Sequence, residues 1–177
     1  MTHTSALDIG PLQQVSTDPS GERWTLTFAR TFPHTTTALW SAISDPAELP
    51  QWAPYTADRN LGRVGPATLT MVDGPEPVEL DGTVTVVEPA SVLEHAWGTD
   101  LLRWELTPAP DGTELMLRQT TDRHDQIPLL AAGWHICLAV ADRLLAGSPF
   151  GPVVGSDATA HGWERLRDDY QRILGDR

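Results

Sequence analysis

Few residues in this 177-residue chain can do acid–base or covalent chemistry: six histidines, one cysteine and twelve basic residues that are all arginine. His135 follows Gly133 and Trp134 in an apolar run, roughly 100° round a helix from Trp134. There it can serve as a polar group at a pocket wall, binding a ligand or exchanging a proton. The plainer reading, which stands ahead of that one, is a satisfied histidine bonded to a strand carbonyl or to Asp142. His95 and Trp97 share one face of a strand, and Glu94 and Ala96 the other. Val92 and Leu93 make both faces apolar, so alternation leaves open which face turns inward. His124, Asp125 and His135 combine into a metal set by residue type only. No His-x-x-x-His pair and no cysteine cluster supports them, so no metal and no cofactor is expected. Cys137 lies on the apolar side of its helix, where a thiol stays protonated. There is no Gly-x-Ser-x-Gly word and no glycine-rich phosphate loop, so no catalytic motif is recognisable.

The charge balance narrows the options further. There are 24 acidic residues against 12 basic ones, a net charge of -12, and no lysine. This excludes Schiff-base and phosphate-loop lysine chemistry and disfavours a nucleic-acid partner, which needs clustered positive charge. Any cation that anchors an acidic ligand must be arginine, and Arg103 and Arg118 are the two strand candidates. A single cysteine rules out an internal disulfide. The N-terminus lacks a basic start and an apolar stretch of signal length, and no apolar run approaches the roughly 20 residues of a membrane span. A cytoplasmic protein with no membrane insertion is the expectation.

The elements that must position these residues follow from periodicity. Residues 1–10 read as a loose tail and 11–177 as one domain. Leu12 to Thr17 and Glu22 to Arg30 flank Asp18-Pro19-Ser20-Gly21 as a hairpin with a type I turn. Threonines 35 to 37 can cap a helix carrying Leu39, Trp40 and Ile43. Asp45-Pro46 starts a second, short helix ending near Trp52. Strands and turns run from Thr56 to about Arg123. One strand carries Val78, Leu80, Val84 and Val86 on a single face, with Gly82 as a bulge. Asp111-Gly112 is a hairpin signal. Pro128 opens a long helix that Gly147 closes, striped by Trp134, Leu138, Ala141 and Leu145. Ser156 or Asp157 caps a last helix with Trp163, Leu166, Tyr170 and Leu174 on one side. An antiparallel meander with one apolar face needs a cover, and the long helix is the large candidate. The hollow between them is where a small ligand would bind.

The order of these elements carries recognisable words: Phe32-Pro33-His34, Leu39-Trp40-Ser41-Ala42-Ile43-Ser44-Asp45-Pro46-Ala47-Glu48-Leu49 and Trp52. Gly62-Arg63-Val64-Gly65-Pro66, Asp81-Gly82-Thr83-Val84 with Glu88-Pro89, Trp97-Gly98 and Leu102-Arg103-Trp104-Glu105-Leu106 follow. The last is Ala132-Gly133-Trp134-His135-Ile136-Cys137-Leu138, running on to Leu144-Leu145-Ala146-Gly147. Over roughly Arg23 to Tyr170 the chain resembles the SRPBCC (START-like, helix-grip) superfamily, in the branch related to the activator of heat-shock-protein-90 ATPase. Relatives often carry an acidic residue after the Leu of the helix word; here that position is Ala139.

The resemblance implies an α+β helix-grip fold. Its curved antiparallel sheet wraps a long C-terminal helix, with two short helices after the first strand and a further terminal helix. It implies binding of an apolar or aromatic small molecule. A polyketide cyclase or dehydratase and a stress-linked co-chaperone are the alternatives, and a homodimer is compatible with such a fold. In relatives the helix-loop near Trp52 sits at the cavity mouth, so Trp52, Tyr55 and Trp97 are the aromatic candidates. His95, Arg118, His135 and Tyr55 are the candidate polar anchors.

Overall fold

Alternating apolar and polar residues place Leu26 and Phe28 on the inner side of one strand and Leu102, Trp104 and Leu106 on that of another. The computed structural model, which describes residues 7–175, builds a six-stranded antiparallel sheet from such strands. These are β1 (Gln14–Ser20), β2 (Arg23–Phe32), β6 (Val84–Glu88), β7 (Val92–Trp97), β8 (Asp100–Ala109) and β9 (Gly112–Thr121), in the order β1-β2-β9-β8-β7-β6. Leu117 stands opposite both Phe28 and Trp104, so one apolar row crosses three strands. Burying each such side chain contributes roughly 1.5–3 kcal/mol. A separate three-stranded sheet holds β3 (Tyr55–Ala57), β4 (Thr68–Met71) and β5 (Val78–Asp81).

Two turns differ from the sequence expectation. Ser20 pairs with Arg23, so the first hairpin turns at Gly21 and Glu22, with Gly21 at a φ of 64°. Asp18 and Pro19 belong to β1, an edge strand, where a missing N–H costs no ladder bond. The strand expected through Gly82 is two strands in two sheets. A Cβ on Gly82 would lie 2.5 Å from Leu69, so only glycine lets the chain pass from β5 to β6. A register irregularity does occur, between Val84 and Val86.

Helix α1 (Thr36–Ser44) starts at Thr35, whose hydroxyl accepts from the Ala38 amide at 3.2 Å. It buries Leu39, Ala42 and Ile43. The second short helix is a capped turn followed by one 3₁₀ turn, Leu49–Gln51, with the Asp45 carboxylate accepting from the Ala47 amide at 2.8 Å. Helix α2 (Ile127–Leu145) lies across the sheet and is covered in turn by α3 (Trp163–Leu174). Burial runs almost continuously from Ala131 to Ala141, so α2 is a core helix rather than a one-sided cover. From His124 to Leu145 the chain is by length and composition long and apolar enough to cross a membrane, with a mean hydropathy of 1.3, although Asp125 and Asp142 bound its uncharged stretch. That apolarity is accounted for inside the protein, where 67% of the apolar window is buried. Ser156 and Asp157 start a 3₁₀ segment, Gly155–His161; α3 begins after Gly162.

Of the loose tail, residues 1–6 lie outside the described residues. Leu7 is buried and the Ile9 carbonyl accepts a hydrogen bond from His135 at 2.6 Å, so the described part is docked on the core.

Candidate functional site

The middle of the sheet's concave face is filled by large side chains. Trp52 meets Trp104 edge-on at 6.0 Å, and Trp104 meets Trp134 edge-on at 5.5 Å. The hollow lies to one side of this stack, where a cavity of about 360 Å³ opens against the first half of α2. Leu129, Leu130, Gly133, Trp134, Ile136 and Cys137 face it at three- and four-residue spacings, as one side of a helix must. Trp97, the last residue of β7, forms the adjoining wall, with Pro54 and Asp73 from the borders of the small sheet. Val153 to Ser156, Ala158, Thr159 and Trp163 form the roof.

Each wall has a local cause. Gly133 stands mid-helix, where glycine costs roughly 0.5–1 kcal/mol against alanine. A Cβ there would meet nothing within 4 Å, so packing does not require glycine and the void begins at its Cα. Gly155 differs: its φ is +58°, and a Cβ would come within 2.6 Å of the Asp73 carbonyl oxygen. Glycine there lets the roof close onto the loop carrying Asp73.

The indoles are held by their N–H groups. Trp134 donates to Gln119 Oε1 at 2.8 Å; Gln119 donates to Asp100 Oδ2 at 2.8 Å; Arg123 donates to the same oxygen at 2.7 Å. Trp97 donates to Met71 Sδ at 2.9 Å. Both donors are therefore spent away from the cavity, which these two residues line with their carbon surfaces.

Of the six residues named from sequence, Trp97 alone lines this cavity. Trp52 is fully buried in the core and donates to the Ala42 carbonyl at 2.8 Å. Tyr55 is fully buried between His95 and Trp97, with ring centroids 6.0 and 5.8 Å away. Its hydroxyl has no partner among the described residues. Burial pushes the phenol far above its ordinary value, so it is a neutral donor.

His95 does turn inward, which settles the strand face, and Glu94 turns outward to Arg103 at 3.2 Å. His95 Nδ1 donates to the Ala96 carbonyl at 2.9 Å, and Nε2 accepts from Trp104 Nε1 at 3.2 Å. Burial, only partly offset by the Ala96 bond, brings its pKa down to about 4.

His135 lies two residues from both Gly133 and Cys137, hence on the opposite side of α2 from the cavity. Its Nε2–H donates to Ile9, and its Nδ1 accepts from the Tyr170 hydroxyl at 2.6 Å. That hydroxyl accepts from the Gln13 amide at 3.0 Å. Arg118 lies on the outer face of the sheet with Arg103, ion-paired to Glu105, so neither strand arginine reaches the cavity. The sequence reading missed Gly133, Asp73, Trp163 and the 153–159 roof. The available signal was a glycine inside a helical run and a Gly/Pro-rich stretch followed by a tryptophan.

Known families and structures agree with this architecture. The family described as Activator of Hsp90 ATPase homolog 1-like protein matches residues 33–146. The solution structure of CalU16 from Micromonospora echinospora has a TM-score of 0.70 at 16% identity, covering 98% of this chain and 96% of that one. EF2215 from Enterococcus faecalis, a conserved protein of unknown function, gives 0.69 at 15% identity, covering 92% and 91%. DynU16, from the dynemicin biosynthetic locus, gives 0.59 at 22% identity, covering 72% of this chain and 49% of that one. No curated protein matches the chain. At these identities the structural likeness shows the fold, helix-grip α+β, and no more.

Proposed function

From the premise that this chain belongs to the Activator of Hsp90 ATPase homolog 1-like family, within the SRPBCC superfamily, we propose that it binds an apolar or aromatic small molecule. The observation that carries the reading is the cavity beneath Trp97, Trp134 and Trp163, with a glycine at its floor where packing asks for none. Flat carbon surfaces and aliphatic side chains supply apolar area. Of the four candidate anchors, His95 and His135 have both ring nitrogens engaged, and Arg118 faces outward. Tyr55, directly behind Trp97, is the one with an unpartnered donor.

The test is native mass spectrometry of the purified protein, followed by titration with an environment-sensitive apolar fluorophore. The Gly133→Phe variant fills the cavity from its floor. The expected result is saturable binding, weakened at least tenfold in Gly133→Phe, with the melting temperature of that variant kept within a few degrees. Absence of binding, or binding indifferent to Gly133→Phe, overturns the reading.

A cyclase- or dehydratase-like activity is the second reading, and the Tyr55 phenol favours it. A neutral donor can polarise a carbonyl while the pocket holds a polyketone chain folded, but Tyr55 lies behind Trp97 rather than in the cavity wall, so this reading requires the indole to swing aside. Turnover of a polyketone that disappears in Tyr55→Phe would raise this reading above simple binding.

A further inference from the structure

The cavity wall is electrically one-sided. Among its lining residues there is no arginine and no histidine, and Asp73 is the one charged group. Asp73 forms no ion pair among the described residues, whereas Asp100 and Asp142 are both matched to arginine. The Cys137 thiol across the cavity is neutral, its pKa pushed up to about 12 by burial and then by the negative charge of Asp73. Asp73 is solvent-exposed at the edge of the cavity, where the polar end of a ligand whose apolar body lies inside would meet its carboxylate. The indoles of Trp97 and Trp134 direct their N–H groups to Met71 and Gln119, so neither offers a donor to an anion. What remains toward the cavity is indole carbon, whose π faces attract cations. The third indole already carries one: the Arg167 guanidinium sits 5.4 Å from the Trp163 ring centroid. That charge is balanced by Asp168 at 2.9 Å and leaves Asp73 unanswered.

We propose that the ligand of this cavity is a positively charged amphiphile, an aromatic or aliphatic amine or quaternary ammonium, with its apolar body against Trp97 and Trp134 and its cationic group near Asp73. The inference rests on the cavity-binding reading above and adds the sign of the ligand's charge. An acidic ligand would meet an unpaired carboxylate and no donor from either indole. A neutral ligand would gain the apolar contact alone.

Three probes with one apolar body separate the cases: 1-naphthylmethylamine, 1-naphthalenemethanol and 1-naphthoic acid. Each is titrated calorimetrically into the full chain near neutral pH and at physiological ionic strength, which suppresses the general attraction of a chain with net charge -12. The expected order is amine, then alcohol, then acid, with the amine ahead of the alcohol by on the order of tenfold. Asp73→Asn removes that ratio while leaving the alcohol affinity in place, which also shows the variant to be folded. Glu22→Gln, in the first hairpin turn, changes the net charge equally and keeps the ratio. Equal affinities, a tighter acid, or a ratio untouched by Asp73→Asn overturns the charge inference and leaves the cavity reading standing. Failure of all three probes to bind removes the cavity reading, and this inference with it.

Discussion

On one side of α2, His135 is wedged against Tyr170, Phe28 and the Ile9 carbonyl, with both ring nitrogens bonded. On the other side, Gly133 and Cys137 border a void. Both lie within the same helical word, but His135 is fully buried and Gly133 only partly so. They differ in what the neighbours ask of them. The His135 side joins α2 to α3 and the N-terminal segment through directional bonds, and a buried polar group there is stabilising only while every bond is made. The Gly133 side asks for nothing, and a position with no packing demand at the border of a core is where a ligand can be received. Titratability and burial do not mark the site here; unfilled space does.

That contrast can be broken most severely at His135. His135→Ala leaves the Tyr170 hydroxyl and the Ile9 carbonyl without their partner and opens a hole, so a loss of about 2–4 kcal/mol in urea denaturation is expected. Fluorophore affinity in the fraction that stays folded should be unchanged. A loss of binding without loss of stability would mean that the filled side takes part in recognition after all.

Acid tests the same idea through protons. His95 and His135 are both held neutral, their pKa values lowered chiefly by burial. A lowered histidine pKa means that the unfolded chain binds protons the folded chain refuses. Stability should therefore be complete above the unfolded value near 6.5 and fall as pH drops toward about 4, where His95 protonates in place. The His95 share over that interval is on the order of 3 kcal/mol. Urea midpoints measured between pH 7 and 4 should show the decline, and His95→Gln should flatten it. A flat wild-type profile would show these histidines to be less tightly enclosed than their bonds imply.

The smallest effect sharpens the comparison from the empty side. Gly133→Ala adds a methyl group that meets nothing and restrains the unfolded chain, so a gain of about 0.5–1 kcal/mol is expected. A destabilised Gly133→Ala would show the void to be filled.

Much of the fold was legible because the signals were periodic. Leu102, Trp104 and Leu106 alternate and Trp134 to Leu145 repeats as a helix stripe, both found in place; the Asp111-Gly112 signal falls at the β8–β9 hairpin, which turns at Pro110 and Asp111 with Gly112 already in β9. The join at Gly82 was not, because a strand that changes sheets keeps its alternation while its partners change. The site was less legible. Trp97 borders the cavity and His95 turns inward, but alternation could not say that the two nitrogens of His95 were already engaged. Trp52 was placed at a cavity mouth by analogy, and here its N–H is tied to Ala42 in the core. Arg118 was chosen for its charge, and the sheet turns it outward to Glu105. Functional value was assigned to what residues carry, whereas Gly133 and Gly155 matter for what they leave out.

The burial of α2 on nearly all sides from Ala131 to Ala141 has a consequence for how the chain must assemble. β2 pairs with β9, so the sheet cannot close until its last strand is present, and α2 follows directly behind it in the chain. A nascent chain therefore presents an open apolar sheet first and a largely apolar helix next, each sticky without the other. Native pairing of these distant segments is slow to form compared with a local helix. Recovery on refolding should accordingly depend on chain concentration more steeply than the stability of the finished protein would suggest.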